Sequence, residues 1–125
     1  MFRWCRLLVG NPQAWEGGRQ GTGYFKFKIF ESKRLECDCY LLKYPEAAHI
    51  PFHTDPVKPG KKHYRLNIIV KKCVTGGDFL CEKTIINFWR FVLFRPDLYL
   101  HSVTTVYNGT RYVLSIGWLR NDRKV

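Results

Sequence analysis

The sequence contains no C-x-x-C pair, no long apolar run and few acidic residues, and each absence excludes a class of protein. Without a C-x-x-C pair, a zinc knuckle is not expected. No run approaches the roughly 20 apolar residues of a membrane-spanning helix, and the N-terminal apolar stretch is too short and interrupted for a secretion signal. We therefore expect no membrane association and a cytoplasmic location. The cysteines are then reduced thiols or small core residues: Cys5, Cys37, Cys39, Cys73 and Cys81.

The shortage of acidic residues leaves the chain strongly basic. Ten aspartates and glutamates face 21 lysines and arginines, which gives a formal net charge of +11. Such a charge favours an anionic partner such as nucleic acid or an acidic protein, although solubility alone also explains it. Hydrophobic residues make up 46% of the chain and aromatic residues 16%, which is typical of a globular protein. We predict a single domain over residues 1–125, with its core at about residues 25–119.

Few segments have a helical pattern. Phe25, Phe27 and Ile29 alternate with lysines, which is the period of a half-buried strand. Turns rich in glycine or proline separate further predicted strands over residues 35–44, 52–55, 63–72, 79–82, 85–94, 100–106 and 110–119. About eight short strands predict an all-β sandwich or barrel. Residues 1–23 are glycine-rich and are predicted as loop, with room for one short helix.

The pair His53 and Asp55 is the first chemical signal. Alternate residues of a strand point the same way, so this imidazole and this carboxylate can converge on one point. His101, beside another predicted strand, supplies a third ligand. Two imidazoles and one carboxylate on one face of an octahedron leave three positions open, which is the arrangement of non-haem Fe(II) oxygenases. A keto acid can take two of these positions and O₂ the third.

Arg111 follows His101 by ten residues, within an apolar run where Arg111, Val113 and Ser115 share a face. A buried guanidinium needs an anionic partner, and its fork suits the far carboxylate of a metal-bound keto acid. A surface arginine is the alternative. A tight hairpin at Asn108-Gly109 would hold His101 and Arg111 roughly 15 Å or more apart. A shared site therefore requires the connection to cross between sheets, as in a jelly roll.

Three stretches occur in a specific order: Tyr44-Pro45 through Ile50-Pro51-Phe52-His53-Thr54-Asp55-Pro56, then Gly76-Gly77-Asp78-Phe79, then Phe94-Arg95-Pro96 through His101-Ser102-Val103 with Gly109–Leu114 and Trp118. Together, over about residues 35–119, they resemble the 2-oxoglutarate/Fe(II) dioxygenase superfamily, closest in style to its prolyl-hydroxylase-like members. The resemblance implies a double-stranded β-helix, or cupin-like jelly roll. It also implies Fe(II) on His53, Asp55 and His101, and 2-oxoglutarate on Arg111.

The resemblance extends to further site residues. It places Tyr44 near the cosubstrate, with a core role as the alternative, and makes Asn67 and Ser115 weaker candidates for the same pocket. In the family, the loop after the metal-binding aspartate borders the pocket mouth. This implies substrate contact by a basic set of residues, with a solvated loop as the alternative: Lys58, Lys61, Lys62, His63 and Arg65. Two departures are a short N-terminal portion and Val113 in place of the family's serine two residues after the arginine.

The implied reaction couples oxidative decarboxylation of 2-oxoglutarate by O₂, to succinate and CO₂, with hydroxylation of a C–H bond on a second substrate. Hydroxylation of an N-methyl group would cause demethylation. The second substrate is unidentified and is a nucleic acid, a peptide or a small molecule. Phe52, Phe94 and Trp118 are candidates for a dry wall around the iron, with core packing as the favoured alternative for each. The alternative is a non-enzymatic cupin-like or nucleic-acid-binding β module that keeps a metal for structure.

Overall fold

The computed structural model describes residues 15–18 and 21–121, so the short helix allowed for in residues 1–23 lies largely outside the described residues. Every regular element in the described part is a strand. The strands are β1 (Glu16–Gly17), β2 (Phe25–Ser32), β3 (Cys37–Tyr44), β4 (Ile50–His53), β5 (Lys61–Lys71), β6 (Thr75–Gly76), β7 (Phe79–Cys81), β8 (Ile86–Phe88), β9 (Phe91–Phe94), β10 (His101–Val103), β11 (Val106–Tyr107) and β12 (Arg111–Asn121). Over the same residues, no helix has the length and apolar character needed to cross a membrane.

The strands form one large sheet and two small ones, with antiparallel pairing throughout. The large sheet has the order β1-β2-β3-β12-β5-β9-β8. The small sheets have the orders β4-β10-β7 and β11-β6. This is the predicted all-β jelly roll. Between β3 and β12 the chain passes repeatedly between the large sheet and the small sheets, with β8 and β9 as a hairpin within the large sheet.

The connection before β12 crosses from a small sheet to the large one, as the placement of His101 and Arg111 required. Strand β11 pairs with β6, whereas β12 lies between β3 and β5. Asn108 and Gly109 make this connection with φ values of 53° and 104°. Because both residues adopt the left-handed region, which asparagine and glycine tolerate best, the chain turns sharply there.

Strand β12 is central and defines the inner face of the large sheet. Its burial alternates, with Arg111, Val113, Ser115 and Gly117 on the buried face. The register across β3, β12 and β5 gives three rows, namely Asp38–Gly117–Arg65, Tyr40–Ser115–Asn67 and Leu42–Val113–Ile69, with Tyr44 opposite Arg111 beyond them. The inner face is therefore apolar along the Leu42 row and carries an arginine at each end.

Two predicted strands are interrupted in the structure. The segment 85–94 is a hairpin of β8 and β9, because the chain reverses at Trp89, whose φ is 53°. The segment 100–106 divides into β10 and β11, which belong to different small sheets. At the division, the Thr104 amide donates to the Asp78 carbonyl oxygen (2.9 Å), and the Gly77 amide donates to that of Thr105 (3.2 Å). Neither segment contains a proline or glycine, so the sequence did not mark either break.

Candidate metal centre and its cavity

The three predicted metal ligands meet on the small sheet β4-β10-β7. His53 ends β4 and His101 begins β10, and the antiparallel register places them opposite each other with ring centres 4.3 Å apart. Asp55 follows β4 by two residues, and its amide donates to the Pro96 carbonyl oxygen at 2.8 Å. Local strand pairing thus fixes the two histidines, while a backbone hydrogen bond fixes the aspartate.

The ring orientations prepare both histidines to bind a cation. His53 Nδ1 lies 2.8 Å from the Pro51 carbonyl oxygen, and His101 Nδ1 lies 3.0 Å from that of Tyr99. A carbonyl oxygen only accepts, so each Nδ1 carries the proton and each Nε2 offers a lone pair. Second partners of this kind orient metal-binding histidines in many proteins.

The three donor groups converge. His53 Nε2 lies 3.6 Å from Asp55 Oδ1, and His101 Nε2 lies 3.4 Å from Asp55 Oδ2. All three potential ligand atoms lie within 4.8 Å of one another. Two imidazole nitrogens and one carboxylate oxygen are a donor set suited to Fe(II) and related divalent ions. The residues therefore fit the metal that the sequence predicts.

A cavity of about 310 Å³, here called the metal cavity, contains the triad. Phe94 is 1% exposed and lies edge-on to His101, with ring centres 5.1 Å apart. Phe79 packs on Phe94 at 4.8 Å. Together these rings form an apolar wall on one side of the metal ligands, which limits water there.

Of the three residues predicted to form a dry wall, Phe94 lines the metal cavity, whereas the predictions for Phe52 and Trp118 are wrong. Phe52 precedes His53 in β4 and is 59% exposed. Trp118 follows Gly117 in β12 and stacks on Tyr64. Adjacent residues of a strand face opposite sides, so neither can point inward with its neighbour. Sequence reasoning missed Phe79, although its register opposite Val103 places it on the face of His101.

Tyr44, Asn67 and Ser115, the minor candidates for the cosubstrate pocket, all line the metal cavity. Ser115 is 1% exposed and donates to Asn67 Oδ1 at 2.6 Å. Tyr44 is 2% exposed and stacks on Tyr24 with ring centres 5.5 Å apart. Burial raises the pKa of Tyr44 to about 12, so its hydroxyl stays protonated and can donate a hydrogen bond.

Arg111 lies behind Tyr44 and does not line the metal cavity. It is 4% exposed, and its guanidinium carbon is 4.9 Å from the centre of the Tyr44 ring. It lines a second cavity of about 300 Å³, which shares Phe79 with the first. Gly77, with φ of 65°, allows the arginine to pass, because a Cβ there would approach its Cδ to 3.0 Å. Burial lowers the pKa of Arg111, yet a guanidinium remains charged.

The structure divides the predicted basic set. His63 and Arg65 line the metal cavity, whereas the three lysines do not. Lys58 is exposed, and Lys61 is paired with Glu36 at 2.7 Å. Sequence proximity grouped these residues, but only Lys62 is separated by strand alternation. Lys58 precedes β5, and Lys61 is the first residue of β5 and lies beyond the metal cavity.

Arg65 is held by neighbours on two other strands. Its Nη1 donates to Ser115 Oγ and its Nη2 to Asp38 Oδ1, both at 2.8 Å. Nη2 also lies 3.4 Å from His63 Nε2. Burial, and then the charge of Arg65, lower the pKa of His63 to about 4, so this histidine is neutral at physiological pH. His63 Nδ1 is buried and has no hydrogen-bond partner among the described residues.

Comparisons with known proteins agree on the fold. No family model matches the sequence, and no curated protein does either. Among solved structures, a prolyl-4-hydroxylase of Pseudomonas putida superposes with a TM-score of 0.69 at 14% identity, covering 98% of this chain and 84% of that one. The viral collagen prolyl hydroxylase of Paramecium Bursaria Chlorella virus-1, a 2-oxoglutarate complex, gives 0.52 at 15% identity over 98% and 70%.

A cupin-2 domain protein of Rhodospirillum rubrum is also similar, with a TM-score of 0.52 at 12% identity over 81% of this chain and 63% of that one. The chain therefore has the jelly roll found both in prolyl hydroxylases and in cupins. At such low identities the likeness establishes the fold, and the activity has to be argued from the site.

Proposed function

We propose that this protein is an Fe(II)- and 2-oxoglutarate-dependent dioxygenase that hydroxylates a second substrate. The observation that carries the proposal is the triad: His53 and His101 direct their Nε2 atoms toward the carboxylate of Asp55. The likeness to prolyl hydroxylases supports the same reading, since one of those structures contains 2-oxoglutarate.

Each residue would have a separate role. His53, Asp55 and His101 would hold Fe(II), which, with 2-oxoglutarate and O₂, supplies the oxidative decarboxylation to succinate and CO₂ and the hydroxylation coupled to it. Phe79 and Phe94 exclude water beside His101. This protects the reaction from unproductive side reactions.

Tyr44 and Arg111 would hold the far carboxylate of 2-oxoglutarate as a unit. Tyr44 lines the metal cavity and Arg111 lies over its ring, so the hydroxyl can donate directly while the guanidinium supplies the positive charge. Within the described residues, Arg111 forms no ion pair with a carboxylate. A buried cation in that state is stabilised strongly when an anionic ligand binds.

The second candidate is a non-enzymatic cupin-like module with a structural metal, which the cupin-2 structure favours. An aerobic assay for succinate distinguishes the two. The dioxygenase forms succinate only when Fe(II) and 2-oxoglutarate are both supplied, and Asp55→Ala removes this activity while circular dichroism shows an intact β fold. If the wild type binds metal and forms no succinate, the module is the correct description.

A further inference from the structure

A row of three residues forms one end of the inner face of the large sheet. Asp38 on β3, Gly117 on β12 and Arg65 on β5 lie directly opposite one another in the register. Arg65 reaches across the central glycine to bind Asp38. A Cβ at position 117 would overlap Nη2 and Cζ of the arginine. The glycine therefore provides the space in which the guanidinium lies.

The guanidinium is oriented but not saturated. Its described contacts are those to Ser115, Asp38 and His63. A guanidinium has five N–H groups, so the Nε proton and one Nη1 proton have no hydrogen-bond partner within residues 15–18 and 21–121. The Arg65 side chain is 16% exposed and lines the metal cavity. A guanidinium fixed at two points with donors to spare can receive a planar anion.

We propose that Arg65 binds a carboxylate of the primary substrate inside the metal cavity. That the bound molecule is a substrate rests on the proposed function. The carboxylate site itself rests on the Asp38–Gly117–Arg65 row. The Asp38 carboxylate beside the guanidinium disfavours a dianion such as phosphate, because like charges repel at this distance. A monoanionic carboxylate can accept a hydrogen bond from the free Nε–H or from the free Nη1–H of Arg65.

The position of Arg65 makes it distinct from the proposed cosubstrate anchor. The Arg65 guanidinium donates to Ser115, which lies four residues from Arg111 on β12, a distance of roughly 13 Å along a strand. One 2-oxoglutarate molecule cannot reach both ends. With the cosubstrate directed toward Tyr44 and Arg111, the Arg65 end of the cavity is available to the molecule that is hydroxylated.

A structural cross-link between strands is the competing explanation for Arg65. It predicts that Arg65 contributes to the stability of the fold and not to the binding of any ligand. The two explanations separate on a matched pair of probes that differ only in charge: N-acetylglycine, which has a carboxylate, and N-acetylglycinamide, which has an amide in its place.

The experiment uses ligand-observed NMR on Zn(II)-loaded protein with saturating 2-oxoglutarate, so that the metal and the cosubstrate anchor are occupied. N-acetylglycine should bind the wild type, and its amide should bind at least tenfold more weakly. Arg65→Gln should weaken N-acetylglycine by about 10- to 100-fold, the value of a charge-assisted hydrogen bond. Arg34→Gln removes the same charge from an exposed position and should leave binding unchanged.

Gly117→Ala is the sharper variant, because it leaves Arg65 present and removes its space. It should weaken N-acetylglycine as Arg65→Gln does. In an Arg65→Ala background, the same glycine change should have less than a twofold effect, since the overlap with the guanidinium no longer exists. Thermal unfolding of each variant checks that the fold persists, and a variant that does not fold leaves the other to decide.

Three results would overturn the proposal. The first is equal binding of N-acetylglycine and its amide, or no binding of either by the wild type. The second is N-acetylglycine affinity that survives both Arg65→Gln and Gly117→Ala. The third is a loss of 2-oxoglutarate affinity in Arg65→Gln as large as the loss of N-acetylglycine affinity, which would make Arg65 the cosubstrate anchor.

Failure of the proposed function gives a different pattern. The wild type would then form no succinate and bind no 2-oxoglutarate, while N-acetylglycine would still bind in an Arg65-dependent way.

Discussion

Arg111 and Arg65 both project from the inner face of the large sheet, at opposite ends of it, and their surroundings differ. Arg111 is 4% exposed and lies on the Tyr44 ring, with no carboxylate ion-paired to it in the part of the chain described. Arg65 is ion-paired with Asp38 and hydrogen-bonded to Ser115. A paired carboxylate balances the charge of Arg65, whereas no carboxylate is ion-paired with Arg111, so binding of an anion should change the charge balance more at Arg111. The two ends should therefore respond differently to substitution.

The largest effect is expected at the metal-binding residues, because they would hold the metal that the keto-acid end of 2-oxoglutarate chelates. His101→Ala should weaken Mn(II) binding by more than about 100-fold. Loss of a group that only hydrogen-bonds to a metal ligand typically weakens metal binding by about 10- to 100-fold, and a direct ligand contributes more. Isothermal titration measures this. His49→Ala is the matched control, since His49 is exposed. Unchanged Mn(II) affinity in His101→Ala would remove this residue from the site.

Arg111→Leu should raise the 2-oxoglutarate concentration needed for succinate release by about 10- to 100-fold, since it removes a charge-assisted bond. The Mn(II) affinity should stay unchanged, because Arg111 is not a ligand. Lysine at this position should restore part of the loss, as it retains the charge without the fork. If leucine leaves the dependence within twofold of wild type, Arg111 is structural and Tyr44 acts without it.

Asp38→Asn tests the end of the sheet where Arg65 is ion-paired with Asp38. It removes the negative charge beside Arg65 and keeps a hydrogen-bond acceptor, so Arg65 should tolerate dianions that Asp38 now disfavours. The affinity ratio of phenyl phosphate to N-acetylglycine should rise about tenfold, the scale of one charge-assisted bond. Competition NMR measures the ratio, with Glu31→Gln as a control at an exposed position. A ratio equal to that of wild type would show that Asp38 does not influence selectivity.

His63 adds a pH dependence at the Arg65 end. Its folded-state pKa of about 4 lies below the ordinary value of 6.5, so the unfolded chain binds more protons between these values. The stability that depends on neutral His63 is complete above pH 6.5 and is lost as the pH falls toward 4. We expect this to amount to about 1 kcal/mol, because water partly screens the ring. Urea unfolding at several pH values gives the unfolding free energy, which should change less with pH over this window in His63→Gln than in wild type. An unchanged pH dependence would assign the effect to another group.

The smallest effect is expected from the lysines that lie outside the metal cavity. Replacing Lys58, Lys61 and Lys62 by serine should weaken an anionic substrate by only a few fold and reduce the salt dependence of its binding. Lys61 is already paired with Glu36, so its charge is partly neutralised. Binding measured at several salt concentrations gives the result. If the lysine variant loses more affinity for the anionic substrate than Arg65→Gln does, the lysines contribute more to binding than the metal cavity does.

The sequence predicted the parts of the site that depend on spacing along a strand. Alternation placed Arg111, Val113 and Ser115 on one face, as the structure has them. His53 and Asp55 also converge as predicted, although Asp55 lies beyond the end of β4 and a backbone hydrogen bond to Pro96 holds it. The same alternation should have excluded Phe52, the neighbour of His53. It is 59% exposed, and apolar character alone did not reveal this.

The contact between Arg65 and Asp38 could not be predicted from the sequence. It depends on the register of β3 and β5 against β12, which brings together residues far apart in the chain. Spacing within a segment is local information, whereas register between strands is set by the packing of the whole sheet.

The central claim is that the metal cavity binds a metal and 2-oxoglutarate together, and a calorimetric titration under anaerobic conditions tests it most directly. With Mn(II) present, wild-type protein should bind 2-oxoglutarate at one site. Metal-free wild type and Asp55→Ala with Mn(II) should both bind it at least tenfold more weakly, since the keto-acid end then has no metal to chelate. Equal 2-oxoglutarate affinity with and without Mn(II), or no binding in either case, would contradict the account.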